Sequence, residues 1–313
     1  MRKKFRIIFM GTPQFAMPAL KALHESGHDI TMVVTQPDRP RGRGRKVSPP
    51  AVKATALELG YRVLQPPSIK TAEFNDLIAQ QKPDLLVVIA FGRILPENIL
   101  ALPRLGTINV HASLLPKYRG PAPIQWAVIN GEKETGVCTQ LMEKELDTGD
   151  LLLSVRETIK PDDTAGDLHD RLAVKGAMVL IDTLKGLAGK SIQPVCQDHS
   201  LATYAPMLTK DDGLINWNKP AEALESFIRG VTPWPGAYTF LGGNRLKLFK
   251  SHPIAADITE PPGTVLQGFA DELRIATARG ALSIEEIQGA SGKRLSTKDF
   301  LRGHPIPPGV VLS

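Results

Sequence analysis

Asn109 and His111 stand two positions apart in INVHASLLPKYRGPAP. In an extended chain that spacing puts both side chains on one strand face, with Val110 on the other. An uncharged amide donor beside an imidazole suits acyl transfer: the amide N–H can stabilise a developing oxyanion, and the ring can give or take a proton near neutral pH. Taken alone, either residue has an ordinary structural reading, and a lone histidine is more commonly a hydrogen-bonded core residue. The pair is followed by Leu114-Leu115-Pro116 and a stretch rich in Pro and Gly. That setting points to the carboxyl end of a parallel strand, where open α/β sheets place ligands.

Other chemistries find less support. The first apolar run ends in GTPQFA, not GxGxxG, and Gly42-Arg43-Gly44 lacks the strand–turn–helix setting of a dinucleotide cradle. The two cysteines, Cys138 and Cys196, lie far apart with no CxxC or Cys/His cluster. Neither a zinc site nor a disulfide scaffold is expected, and no metal is assigned. The longest apolar run, Leu85 to Phe91, is seven residues, against ~18 for a spanning helix. The apolar stretch after Met1-Arg-Lys-Lys stops at Gly11-Thr12-Pro13, too short for an export signal. A cytoplasmic protein with no membrane partner is expected.

Charge is concentrated. The 313 residues carry a net +6, yet residues 1–50 hold ten Lys/Arg against three Asp/Glu. Arg39, Arg41, Arg43, Arg45 and Lys46 all fall within PDRPRGRGRK. Such a run can be a solvated face or a grip on a polyanion. Gly42 and Gly44 deny it regular order and Pro37 and Pro40 deny it ladder hydrogen bonds, so Gln36 to Lys46 is expected to be a mobile loop.

The elements that must position these residues alternate. Apolar runs at Phe5–Gly11, Ile30–Val34, Tyr61–Gln65, Pro83–Gly92 and from Gly106 read as strands. Helices are expected after Pro18, over Pro50–Leu59 and over Glu73–Gln81. This alternation predicts an α/β fold with a doubly wound, Rossmann-like parallel sheet. Beyond residue 136 two strand-like segments flank Leu146-Asp147-Thr148-Gly149-Asp150, and a long helix is expected over Thr164–Leu187. Residues 191–207 show no periodicity and are taken as a linker after a domain of residues 1–190. Residues 208–313 read as one helix (Pro220–Gly230) plus short strands separated by Gly and Pro turns, a small β-barrel domain.

The pattern N-x-H-x-S-L-L-P-x-x-x-G, carried by Asn109, His111, Ser113 to Pro116 and Gly120, resembles the formyltransferases that use 10-formyltetrahydrofolate. Leu146 to Asp150 matches that family's downstream L-D-T-G-D turn residue for residue. The resemblance covers about residues 5–190 and implies 10-formyltetrahydrofolate as formyl donor and Asp147 as acidic partner of the pair. It also implies a pterin pocket around Phe91, Gly92, Ile94 and Leu95, with Ser113, Leu114, Leu115 and Pro116 shaping the folate loop. Two further features resemble the branch that formylates methionyl-initiator tRNA. One is TQPDRPRGRGRK, like that branch's inserted loop near the acceptor end, with Arg43 matching the loop arginine. The other is the second domain, with Ile215 to Trp217 and Thr232 to Thr239, like its OB-like carboxy-terminal domain. Residues 206–313 carry twelve Lys/Arg and eleven Asp/Glu, so a tRNA-facing surface there must come from arrangement; Arg245 and Lys247 on one strand face are candidates. A monomer is expected. An amino-sugar formyltransferase and a non-catalytic RNA-binding relative are the alternatives.

Formyl transfer to an amine sets the roles. Asn109 is expected to stabilise the oxyanion, an effect worth ~2.7–4 kcal/mol for one donor. His111 would move the proton and share in oxyanion stabilisation. Asp147 would orient His111 and, through water, accept the amine's proton.

Overall fold

Ile7, Ile8, Phe9 and Met10 are completely buried, because the strand that carries them is covered on both faces. In the computed structural model, which describes residues 4–41, 46–269 and 271–313, this is β1 (Arg6–Gly11). It pairs in parallel with β2 (Asp29–Val34) on one side and with Leu85–Ile89 on the other. The chain forms two compact units.

The first unit comprises residues 1–123, 134–158 and 169–205. After β2 come β3 (Arg39–Arg41), β4 (Lys46–Ser48), β5 (Val63–Leu64), β6 (Leu85–Ile89), β7 (Thr107–His111), β8 (Glu134–Leu141) and β9 (Leu151–Thr158). The main sheet has seven strands in the order β5-β2-β1-β6-β7-β8-β9. Its first five strands are parallel, as the alternation of strand and helix predicts, and the hairpin β8–β9 closes that edge antiparallel. Helices α1 (Met17–Glu25), α2 (Ala51–Glu58), α3 (Ala72–Gln80) and α4 (Glu97–Leu100) supply the crossovers. Thr71 caps α3 by accepting from the Phe74 N–H at 3.3 Å, an interaction worth about 1 kcal/mol. On one face, Ile8, Met10, Met32, Val34, Leu86 and Val88 form a core with Phe74 and Ile78 of α3.

The basic segment departs from the expected irregular loop. Arg39–Arg41 and Lys46–Ser48 pair as a two-stranded antiparallel ribbon, with Pro40 opposite Val47. A two-stranded ribbon has a free edge on each strand, so a residue without an N–H is tolerated there. Gly42, Arg43, Gly44 and Arg45 lie outside the described residues, as do the side chains of Arg41 and Lys46. The stretch expected as a linker is irregular, but it pairs within the first unit: Val195 bridges Leu151, and Tyr204 bridges Arg119.

The second unit comprises residues 124–133, 159–168 and 206–313. Its sheet has five antiparallel strands: β10 (Ala237–Leu241), β11 (Asn244–Ile254), β12 (Leu273–Ala276), β13 (Ala281–Gln288) and β14 (Leu295–Ser296). They are ordered β10-β11-β13-β12, with β14 also on β13. Helix α7, the next after α5 (Pro123–Ile129) and α6 (Ala165–Gly189), spans Ala221–Gly230 and packs Leu224 and Ile228 inward. Trp217 is buried, and its indole N–H donates to Thr239 Oγ1 at 3.1 Å.

Candidate active site

Strand β7 delivers Asn109 and His111 together. Its antiparallel register with β8 sets Asn109 opposite Gln140 and His111 opposite Cys138. The turn between β8 and β9 then carries Asp147 back over the same end of the sheet. Asp147 Oδ1 accepts from Gln140 Nε2 at 3.0 Å and from Asn109 Nδ2 at 3.4 Å, and it lies 3.6 Å from His111 Nδ1. Asp147 Oδ2 accepts from the Gly120 N–H at 2.8 Å. Donors from three places in the chain therefore fix one carboxylate beside the imidazole, and the histidine and aspartate side chains are both more than nine-tenths buried.

The tautomer of His111 follows from its other nitrogen. Nε2 is 2.9 Å from the Tyr118 carbonyl oxygen. A carbonyl only accepts, so Nε2 carries hydrogen in either charge state and Nδ1, facing Asp147, is where the ring gains or loses a proton. Asn109 is half-buried. Its amide has two N–H groups, and no acceptor among the described residues takes the second. The arrangement thus joins an available neutral donor to a histidine–carboxylate pair.

The segment after β7 is folded tightly. Ser113 is completely buried and its Oγ donates to the Lys117 carbonyl at 2.7 Å, closing a turn that includes Leu114, the buried Leu115 and Pro116. Tyr118 has φ +60° and its N–H donates to Thr203 Oγ1 at 2.8 Å. Gly120, at φ +113°, sits where a Cβ would fall 2.7 Å from the Ala205 carbonyl oxygen. The glycine of the motif is thereby explained: its bare backbone lets its N–H approach Asp147.

The residues expected around a pterin pocket separate by environment. Phe91 and Leu95 are buried in the core beside Ile8 and Met10, while Ile94 is 73% exposed. Ile94 lines a depression with Pro67, Ser68, Ile69, Lys70 and Arg93. Gly92 has φ +81°, and the carbonyls of Phe91 and Gly92 accept from Gln36 Nε2 at 3.2 and 3.3 Å. The base of the basic ribbon is held nearby. Lys53 bonds both carboxylate oxygens of Asp38, holding that carboxyl below its usual range, and Arg39 Nη2 donates to Gln36 Oε1 at 3.3 Å.

Arg245 and Lys247 do lie on one face of β11, flanking buried Leu246 and Leu248. Their surroundings differ, because the Arg245 guanidinium stacks 3.4 Å from the Tyr238 ring centroid. Sequence reasoning passed over Gln140, Gln197 and the Gly120 N–H. Gln140 could be found from β-pairing register alone; Gln197, in an aperiodic segment, carries no local signal.

Residues 3–184 match the family model described as formyl transferase, and residues 207–305 match that of the formyl transferase C-terminal domain. The chain belongs to the formyl transferase family. Near full-length relatives within that family include methionyl-tRNA formyltransferases. That of Caldanaerobacter subterraneus is 52% identical, over 98% of this chain and 99% of its own. That of Pelotomaculum thermopropionicum is 49% identical over 98% of each. Among solved structures, the sugar 3N-formyl transferase WlaRD, determined in the presence of dTDP and 5-N-formyl-THF, shares the fold. Its TM-score is 0.67 at 18% identity, over 93% of this chain and 100% of its own.

Proposed function

We propose that this chain transfers the formyl group of 10-formyltetrahydrofolate to the amino group of methionyl-initiator tRNA, giving formylmethionyl-tRNA for translation initiation, and that it works as a cytoplasmic monomer. The observation that carries the chemistry is the second Asn109 N–H, without an acceptor among the described residues and beside the His111–Asp147 pair.

The neutral amine attacks the formyl carbon, a C–N bond forms and the carbonyl oxygen becomes an oxyanion. The bond from that carbon to the folate nitrogen then breaks, and the departing nitrogen takes a proton passed through water from the His111–Asp147 pair, which the amine's own proton replaces. Asn109 donates its second N–H to the oxyanion. His111, with Nε2 directed at Tyr118 and Nδ1 facing Asp147, moves the proton and shares in stabilising the oxyanion. Asp147, held by three N–H donors, orients the ring and receives the amine's proton through water. No covalent enzyme intermediate is needed.

On this reading residues 1–190 carry the chemistry, residues 191–207 lead out of it, and residues 208–313 form an OB-like domain that engages tRNA. Phosphates of the acceptor stem supply the attraction for Arg39, Arg41, Arg43, Arg45 and Lys46, positioning the substrate without reading sequence. The folate enters against the loops of Phe91–Leu95 and Ser113–Pro116. An assay with 10-formyltetrahydrofolate, offering methionyl-initiator tRNA beside a nucleotide amino sugar, tests the assignment. Formylation of the tRNA alone is expected; formylation of the sugar alone would refute it.

A further inference from the structure

Gln197 is only 4% exposed, yet both ends of its amide are bonded. Nε2 donates to the carbonyls of Asp147 at 2.9 Å and Gly149 at 2.7 Å, and it lies 3.3 Å from Gln140 Oε1. Oε1 accepts from Arg119 Nη2 at 2.7 Å and Nε at 3.3 Å. Carbonyls only accept and a guanidinium only donates, so the amide has one permitted orientation.

The turn it holds has an uncommon backbone. Asp147 has φ +56°, in the left-handed region that few non-glycine residues adopt. Two carbonyls of that strained turn end on one side-chain nitrogen. The other end of the amide reaches Arg119, whose neighbour Gly120 donates its N–H to Asp147 Oδ2. Gln197 therefore ties the backbone beneath the carboxylate to the loop that supplies one of its donors. The 3.6 Å between His111 Nδ1 and Asp147 Oδ1 lies just beyond direct hydrogen-bond reach, so small shifts of this turn decide whether the pair closes.

We propose that Gln197 is a positioning residue for formyl transfer: it fixes the turn that aims Asp147 at His111 without touching substrate. This rests on the role proposed above for Asp147. Misplacing a reacting group by about 1 Å can cost ~10²-fold in rate. A purely structural glutamine would affect stability without depending on Asp147.

The test uses the full chain with Gln197→Met, Gln197→Glu, Asp147→Asn and the Gln197→Met/Asp147→Asn double variant. Gln197→Met is expected to lower kcat by about 10²-fold while folate and tRNA affinities move by less than about twofold. In the Asp147→Asn background the same change should cost less than about threefold more, because the two act as a unit. Gln197→Glu should be slow near neutral pH and regain rate relative to wild type in acid, where its protonated carboxyl can donate to a carbonyl. A wild-type kcat in Gln197→Met, or losses that multiply in the double variant, overturns the proposal alone provided Asp147→Asn is itself slow. A wild-type rate in Asp147→Asn overturns the site assignment, and the proposal with it. Should Gln197→Met not fold, a pH-independent rate ratio for Gln197→Glu overturns the proposal, and acid recovery supports it.

Discussion

His111 Nδ1 stands 3.6 Å from Asp147 Oδ1 while Nε2 is bound to the Tyr118 carbonyl at 2.9 Å. The main-chain contact settles the tautomer, and the carboxylate faces the other ring nitrogen. Nitrogen-15 NMR should therefore find Nε2 protonated, in wild type and equally in Asp147→Asn, since Tyr118 rather than Asp147 sets the tautomer. A neutral ring protonated at Nδ1 would refute this arrangement.

Gly120 links the same carboxylate to the loop after β7. At φ +113°, with the Ala205 carbonyl oxygen 2.7 Å from where a Cβ would fall, Gly120→Ala is strained in backbone and in space. A loss of about 1–3 kcal/mol is expected in denaturant unfolding, with a fall in turnover as the N–H leaves Asp147 Oδ2. Unchanged stability and turnover would show that the loop can shift without consequence.

The site was legible in the sequence to the extent that its geometry is local. Asn109 and His111 share a face because a strand repeats every two residues, and Asp147 stands in a contiguous turn motif. Gln140 becomes visible only when β7 and β8 are placed in register, and Gln197 only when the segment after α6 is folded back onto the turn. Both depend on pairings between distant residues, which periodicity does not encode. The parallel sheet was likewise readable from alternating strand and helix signals. The ribbon at Arg39–Arg41 and Lys46–Ser48 was not, because Pro40 and two nearby glycines masked a pairing that needs only free edges. Phe91 and Leu95 illustrate the converse limit: an apolar residue in a motif loop can belong to the core beneath it.

The basic segment and β11 should behave differently in tRNA binding. Neutralising Arg41, Arg43 and Arg45 together is expected to flatten the salt dependence of binding, leaving folate affinity unmoved. The slope should fall by ~0.7–0.9 log units for each phosphate that the variant no longer neutralises. Arg245→Met should instead destabilise the second unit by about 0.5–2 kcal/mol, since the guanidinium rests on Tyr238. An unaltered salt slope in the triple variant would reduce the basic segment to a solvated surface.

The cysteines should differ in reactivity. Burial pushes the Cys138 thiol up to about 12, leaving almost no thiolate at neutral pH, whereas Cys196 is exposed. A maleimide should modify Cys196 alone in native protein and both after unfolding. Rapid labelling of Cys138 in the native state would contradict its burial.

The most direct measurement is the single-turnover rate of formyl transfer from 10-formyltetrahydrofolate to methionyl-initiator tRNA, both saturating, in wild type, Asn109→Ala and Asp147→Asn. Loss of the oxyanion donor should slow Asn109→Ala by ~10²–10³-fold, and Asp147→Asn should be slowed at least as much, with both proteins folded and binding their substrates. A rate within about twofold of wild type in either folded variant would contradict a mechanism built on these residues.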